Sequence, residues 1–332
     1  MTGPLRSGRW RYLLPVPLFL LAIGLIWWRG PNWHQVGHSF SSVRWDYVAL
    51  AVVLNLLSVL VRAGAWNTAI HQAMPPPRPA FQLVFSAFCV GLFANVVLPG
   101  RVGELARVAV LARRTDDPRR NAPILLGSVV AHRMFDLFPS LTLVIWVLFS
   151  AKLPAWAITS LELVLAASLA LLLVVWLLAR RRNPTALEEV GRLQRVIARA
   201  RQGLAIMRAP LPAALAASLQ YAGWIFQLLA VWSVMYAFHI DEPIAAAGLV
   251  LVLMNVATIF PLWPGNVGLV QAAIALPLTQ YGIDYSRGIA FGLGLQAIEA
   301  SVGVGIGLLF LAHEGLSYAT LKGMPRDEVA EL

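Results

Sequence analysis

Cysteine, histidine and charge are all scarce in this sequence. The one cysteine, Cys89, lies in an apolar run, so an internal disulfide is excluded and a thiol-based or metal centre has little to build on. Six histidines are scattered along the chain, and no Gly-rich phosphate loop, Gly-x-Ser-x-Gly or His-Glu-x-x-His is present. The expectation is a protein that is not an enzyme and needs no metal or cofactor. Charged residues make up only 13% of the chain, and the longest polar stretch, Arg180 to Pro210, falls far short of the roughly 100 residues of a soluble catalytic domain. Apolar residues fill the rest. They account for 59% of the chain, and the mean hydropathy of +0.71 describes an all-α polytopic membrane protein.

The net charge of +10 sits in loops, where it reports topology and contact with anionic lipid rather than nucleic acid. Apolar runs predict six full spans, at about Tyr12 to Trp28, Tyr47 to Ile70, Ala122 to Phe149, Ala157 to Ala179, Leu211 to Phe238 and Ser286 to His313. Residues 6–11 carry three arginines ahead of the first run, but Arg29-Gly-Pro-Asn-Trp offers no small-x-small cleavage site, so that run reads as an uncleaved span. The segment from Arg29 to Trp45 reads as a polar connection. A capping-box pattern at Thr185-x-x-Glu188 opens an arginine-rich amphipathic stretch, about 185–207, that reads as a helix on the membrane surface.

Two further apolar segments are broken by Pro-Gly. The first has arms Ala80 to Leu98 and Arg101 to Ala112, and its second arm, roughly 18 Å at 1.5 Å per residue, is too short to cross a core of about 30 Å. The second has arms Ile244 to Trp263 and Val267 to Gln280. Both read as re-entrant hairpins. Leu98 to Leu111 can be laid over Trp263 to Leu276 at a constant offset of 165 residues, with Pro99, Gly100 and Gly103 matching Pro264, Gly265 and Gly268. With the N-terminus in the cytoplasm, 18 of the 26 basic residues fall on the cytoplasmic side and Arg29, Arg44, Lys152 and Arg287 outside. The expected plan is one transmembrane domain, 1–332, made of halves 12–150 and 157–313 in opposite orientation, with both termini cytoplasmic. Opposed hairpins meeting near the midplane are the pattern of an alternating-access site.

The residues that could carry chemistry cluster at these breaks. Arg101, Glu104 and Arg107 follow the first break at i, i+3 and i+6, on adjoining turns of one short helix whose N-terminus would favour an anion. Arg133 and Asp136 stand at i, i+3 deep in the third span, where pairing of Arg133 with Glu104, or of Asp136 with Arg101 or Arg107, would partly neutralise both elements. Intramembrane charges read as functional by default, and a purely structural ion network is the competing reading. Glu299, with Asn266, Gln271 and Gln296 near it in sequence, reads as a second-half cavity residue, a proton-coupling carboxylate or a packed, protonated acid. Arg62 reads as a residue near the cytoplasmic end of its span that snorkels to the surface.

Asn95-Val-Val-Leu-Pro-Gly-Arg-Val-Gly-Glu104, Arg133-x-x-Asp136 and Pro261-Leu-Trp-Pro-Gly-Asn-Val-Gly268 resemble the motifs of the lysylphosphatidylglycerol synthase transmembrane region, or flippase-like, family over about residues 12 to 313. Members include the membrane part of bacterial multiple peptide resistance factors, where this region is assigned to lipid translocation. In the family the second motif usually reads Pro-Gly-Gly-x-Gly with a Glu three residues on, and the last span often carries an Arg near Gln296; here Asn266 and Gln271 stand in the motif. No aminoacyltransferase domain follows before Leu332, so the resemblance implies handling of a lipid rather than its synthesis. The expectation is a flippase-like protein of the bacterial inner membrane that binds or moves an anionic phospholipid or lipid-linked sugar through Arg101, Glu104, Arg107, Arg133, Asp136, Asn266 and Glu299. A proton- or ion-coupled small-solute transporter and a non-catalytic subunit of a glycolipid pathway are the alternatives.

Overall fold

The computed structural model describes residues 30–98, 102–180, 199–259 and 266–313. The expected first span, most of the expected surface helix, and Pro99, Gly100, Arg101, Pro264 and Gly265 lie outside these residues. Every regular element among the described residues is helical: α1 (Trp33–Ser41), α2 (Trp45–Ala73), α3 (Phe81–Val97), α4 (Gly103–Ala112), α5 (Pro118–Ser150), α6 (Ala155–Arg180), α7 (Pro210–Ala237), α8 (Ile244–Ala257), α9 (Leu269–Leu278) and α10 (Tyr285–His313), with 3₁₀ turns at Ala205–Arg208 and Thr279–Tyr281. Of these, α2, α5, α7 and α10 are long and apolar enough to cross a membrane, and large apolar side chains such as Leu50, Val53, Leu60, Leu215 and Leu309 face outward from them. In lipid that outward face needs no cover, and helices associate instead through packing and interhelical hydrogen bonds.

Helix α1 occupies what the sequence suggests is only a polar connection. Asn32 caps it by accepting from the backbone of His34 and Gln35, and its apolar positions Trp33, Val36 and Phe40 recur at helical spacing. Val36 is buried, Phe40 meets Phe238 edge to face, and the Asn32 N–H donates to Ser286 Oγ at the start of α10.

The long helices hold two separate apolar clusters, one toward each end. In one, α3 and α4 pack with Val59 to Met74 of α2, Ile124 to Val129 of α5 and Val302 of α10. In the other, α8 and α9 pack with Ala51 of α2, Leu143 to Val147 of α5, the end of α7 and Ile289 to Leu295 of α10. The two broken segments therefore sit at opposite ends of the same long helices, and the middle of those helices lies between them. The most extensive helix contact joins α2 to α7, where Ser58 Oγ donates to the Gly223 carbonyl at 2.8 Å.

Within the first broken segment, α3 and α4 touch backbone to backbone. A Cβ on Gly103 would collide with the Gly91 carbonyl oxygen, and one on Gly91 would come within 2.9 Å of the Gly103 oxygen and 3.0 Å of Arg107 Cβ. Gly91→Val should therefore lower stability by about 1–3 kcal/mol, the usual cost of overpacking. The midpoint of thermal unfolding in detergent measures it.

Candidate functional site

Five charged side chains form a chain of alternating sign in the middle of the bundle: Arg62, Asp136, Arg133, Glu104, Arg107. From α2, Arg62 Nη2 donates to Asp136 Oδ1 at 3.0 Å. On α5, Arg133 Nη1 donates to Asp136 Oδ2 at 3.2 Å, and Arg133 Nη2 reaches across to Glu104 Oε1 on α4. The second oxygen of Glu104 pairs with Arg107 one turn along. Each carboxylate thus bridges two arginines, and both ends of the chain are cationic. Three guanidiniums against two carboxylates leave one net positive charge, which suits an anion.

The two ends of the chain are held differently. Arg107 is buried, its side chain only 5% exposed, with its guanidinium 4.7 Å from the centre of the Trp66 ring and 5.4 Å from that of Phe88. Trp66 is fixed in turn by its N–H donating to Ser128 Oγ at 3.1 Å. Arg62 lies over Trp224 at 5.3 Å, and the Trp224 N–H donates to Asp136 Oδ1 at 2.7 Å. Arg133 is the open member, with 49% of its side chain exposed.

Arg62 is thus not the snorkelling residue its sequence position suggests. Its helix runs to Ala73, which leaves Arg62 more than half-way along and some 11 residues, or about 17 Å, from the end. A guanidinium at that depth finds its counter-charge inside the protein, on Asp136. His132 supports the same seam: its Nε2 lies 3.1 Å from the Arg62 carbonyl and 3.0 Å from Gln220 Nε2, and Gln220 donates to the His132 carbonyl at 3.2 Å. Gln220 and Trp224 are the polar groups that sequence reasoning passed over. Lying one turn apart on a helix without charged residues, they offer the signal that would have found them.

The chain of charges lines a small cavity of about 50 Å³ beside the first break, together with Asn95, Gly91, Phe88 and His132. Asn95 shapes it by accepting the Gly103 N–H at 2.9 Å, which ties the end of α3 to the first residue of α4. Of the residues expected at a site, Glu104, Arg107, Arg133 and Asp136 come together here; Arg101 lies outside the described residues. Asn266 and Glu299 are not among the lining residues. Glu299 accepts from Gln227 Nε2 at 3.4 Å on α7, and Asn266 belongs to the second break.

The sequence profile of the lysylphosphatidylglycerol synthase TM region matches residues 16–307, nearly the whole chain. The chain belongs to this family. Among curated relatives, a UPF0104 membrane protein of Methanocaldococcus jannaschii is 23% identical over 203 residues, covering 60% of this chain and 84% of the relative. A UPF0104 membrane protein of Pyrococcus horikoshii is 26% identical over 131 residues, covering 39% of this chain and 37% of the relative. No solved structure matches.

Against the family's usual second motif, this lysylphosphatidylglycerol synthase TM region member holds a neutral version of the same arrangement. Asn266 stands where a glycine is usual and adopts φ +46°, the left-handed conformation that Asn tolerates best among residues with a side chain. Its side chain then donates to the Ala257 carbonyl at 3.0 Å, tying the two sides of the second break as Asn95 ties those of the first. Gln271 in the first turn of α9 accepts the Gly268 N–H and donates to Gln296 on α10. That contact runs from the short arm to the following long helix, as Glu104 to Arg133 does at the first break. One break is bridged by an ion pair, the other by two carboxamides.

Proposed function

We propose that this protein is a flippase-like lipid transporter that carries the headgroup of an anionic phospholipid or lipid-linked sugar through the cavity beside the first break while the acyl chains stay in the bilayer. The observation that carries this reading is the cavity itself: a net-positive chain of ion pairs, at the middle of membrane-length helices, with Arg133 half-exposed at its wall. In this reading Arg133 meets the phosphate, Glu104 and Asp136 orient Arg133, and Arg107, packed against Trp66 and Phe88, anchors Glu104. Asn266 shapes the second break without touching the headgroup.

The recurrence of long, medium, short and long helices as α2 to α5 and again as α7 to α10 supports a single domain of two repeated halves. So does the seating of the two broken segments at opposite ends of the long helices. We take the halves as inverted, the termini as cytoplasmic and the location as the bacterial inner membrane. Family membership supports a lipid as the thing handled. Purified protein in liposomes should move a fluorescent phosphatidylglycerol analogue between leaflets faster than empty liposomes do. Rates equal to the empty control across anionic phospholipids and polyprenyl-phosphate sugars would overturn the proposal. Uptake of a water-soluble organophosphate instead would reassign the cavity to a small solute.

A further inference from the structure

Among the described residues, Glu104 and Asp136 each contact two arginines and Glu299 contacts none. It lies in the middle of α10, half-buried, and among the described residues its carboxylate makes one polar contact, the 3.4 Å hydrogen bond from Gln227. A carboxylate at this depth with only a carboxamide beside it is costly as an anion and comfortable as a neutral acid, which can donate as well as accept.

The helices packed on α10 bring few other ionisable groups toward it. Helix α9 has none and α3 only Cys89. On α1, His34 and His38 belong to the end near Ser286, and α10's own Arg287 and His313 lie near its two ends. On α7 the facing group is Gln227. Of the ionisable groups on α2, Asp46 and Tyr47 stand at its start and His71 at its end, and only Arg62 lies at mid-helix, as Glu299 does on α10. Arg62 is also the counter-ion of Asp136, and among the described residues its buried Nε has no hydrogen-bond partner, so one donor of this guanidinium is uncommitted there.

We propose that Glu299 binds and releases one proton in each transport cycle, with Arg62 as the cation it shares with Asp136. This rests on the transport reading above. With the proton on, the neutral carboxyl rests on Gln227 and Arg62 stays with Asp136. When the proton leaves to water, the carboxylate competes for Arg62. Drawing Arg62 away from Asp136 loosens Arg133 in turn, because Asp136 holds both arginines. The step moves one proton between water and a carboxyl oxygen and needs no other reactant.

Difference infrared spectroscopy of the full-length protein in nanodiscs, over a pH series, should show a protonated-carboxyl stretching band that titrates and is lost in Glu299→Gln. Gln227→Leu, which removes only the neighbouring donor, should shift the titration of that band and keep the band. No titrating band in the wild type, its survival in Glu299→Gln, or an unmoved titration in Gln227→Leu overturns the assignment whatever the lipid assay gives. In liposomes with an imposed pH gradient, wild-type lipid flux should rise severalfold over the flux without one, and Glu299→Gln should lose that rise. Wild-type flux that ignores the gradient overturns the coupling and leaves lipid transport standing. A band lost in Glu299→Gln, with no lipid flux from the wild type, supports the proton site and overturns the lipid reading instead.

Discussion

Replacing Asp136 with Asn should lower the stability of the folded protein by about 3–5 kcal/mol, the range for removing one partner of a buried ion pair. The two side chains are nearly the same shape, so packing changes little. Asn keeps one oxygen for Trp224, but its amide turns donors toward an arginine, and Arg62 and Arg133 lose the charge they share. Neutral hydrogen bonds between membrane helices are worth only about 0.6 kcal/mol on average and about 1.7 at most. A loss of several kcal/mol therefore measures uncompensated charge rather than a missing bond. Reversible unfolding in bicelles provides the value. Arg62→Gln combined with Asp136→Asn should recover part of the loss, because it removes one of the stranded cations, and the coupling energy isolates the pair. A single variant within about 0.5 kcal/mol of wild type, the range of an ordinary surface substitution, would remove the network from any role in holding α2 to α5.

Much of this fold could be read along the chain, because its long helices are nearly uninterrupted apolar runs. Their ends fall within a few residues of those expected, and α3 stops at Val97, just short of Pro99-Gly100, but α8 stops at Ala257, six residues before the expected end at Trp263. Pairing of Glu104 with Arg133 was also within reach, since each is costly alone at membrane depth and the two helices follow one another. Arg62 was not. Its partner stands 74 positions away on another helix, and only contacts made in three dimensions bring α2 beside α5. Underestimating α2 by a few residues at its C-terminal end also turned a mid-helix arginine into one near the surface. Helix α1 escaped notice for another reason: its apolar face is narrow, and the docking of Val36 and Phe40 onto the second cluster, invisible in sequence, is what fixes it.

The separation of Arg107 from Arg133 is likewise a product of tertiary structure. Sequence spacing puts Arg107 on the same helix as Glu104 and suggests equal claims on a headgroup. The aromatic rings of Trp66 and Phe88, from α2 and α3, close over Arg107 and leave Arg133 as the accessible cation. Substituting Arg107 thus tests the scaffold, while Arg133 is the residue through which binding can be tested.

Arg133→Gln by itself leaves Glu104 paired with Arg107 and Asp136 with Arg62, whereas changing Glu104 as well turns the bridge between α4 and α5 into a neutral one. Glu104→Gln with Arg133→Gln would give the first break the carboxamide bridge that Gln271 and Gln296 already form at the second. That bridge is the best available indication that such a pair holds a short arm to its long helix without charge. The double variant should therefore fold, with an unfolding midpoint below wild type because buried Arg107 loses the carboxylate it pairs with. Lipid translocation should nonetheless fall at least tenfold, equivalent to about 1.4 kcal/mol of lost interaction with the anion. Among the described residues the cavity would then lack its most exposed cation, and Asp136 would keep only Arg62 as an ionic partner. Normal flux in a stable double variant would mean that the charged bridge is a structural clasp and that the headgroup binds elsewhere. Loss of flux with folding intact would separate the two things a charge can do in a membrane: hold helices together, and receive an ion.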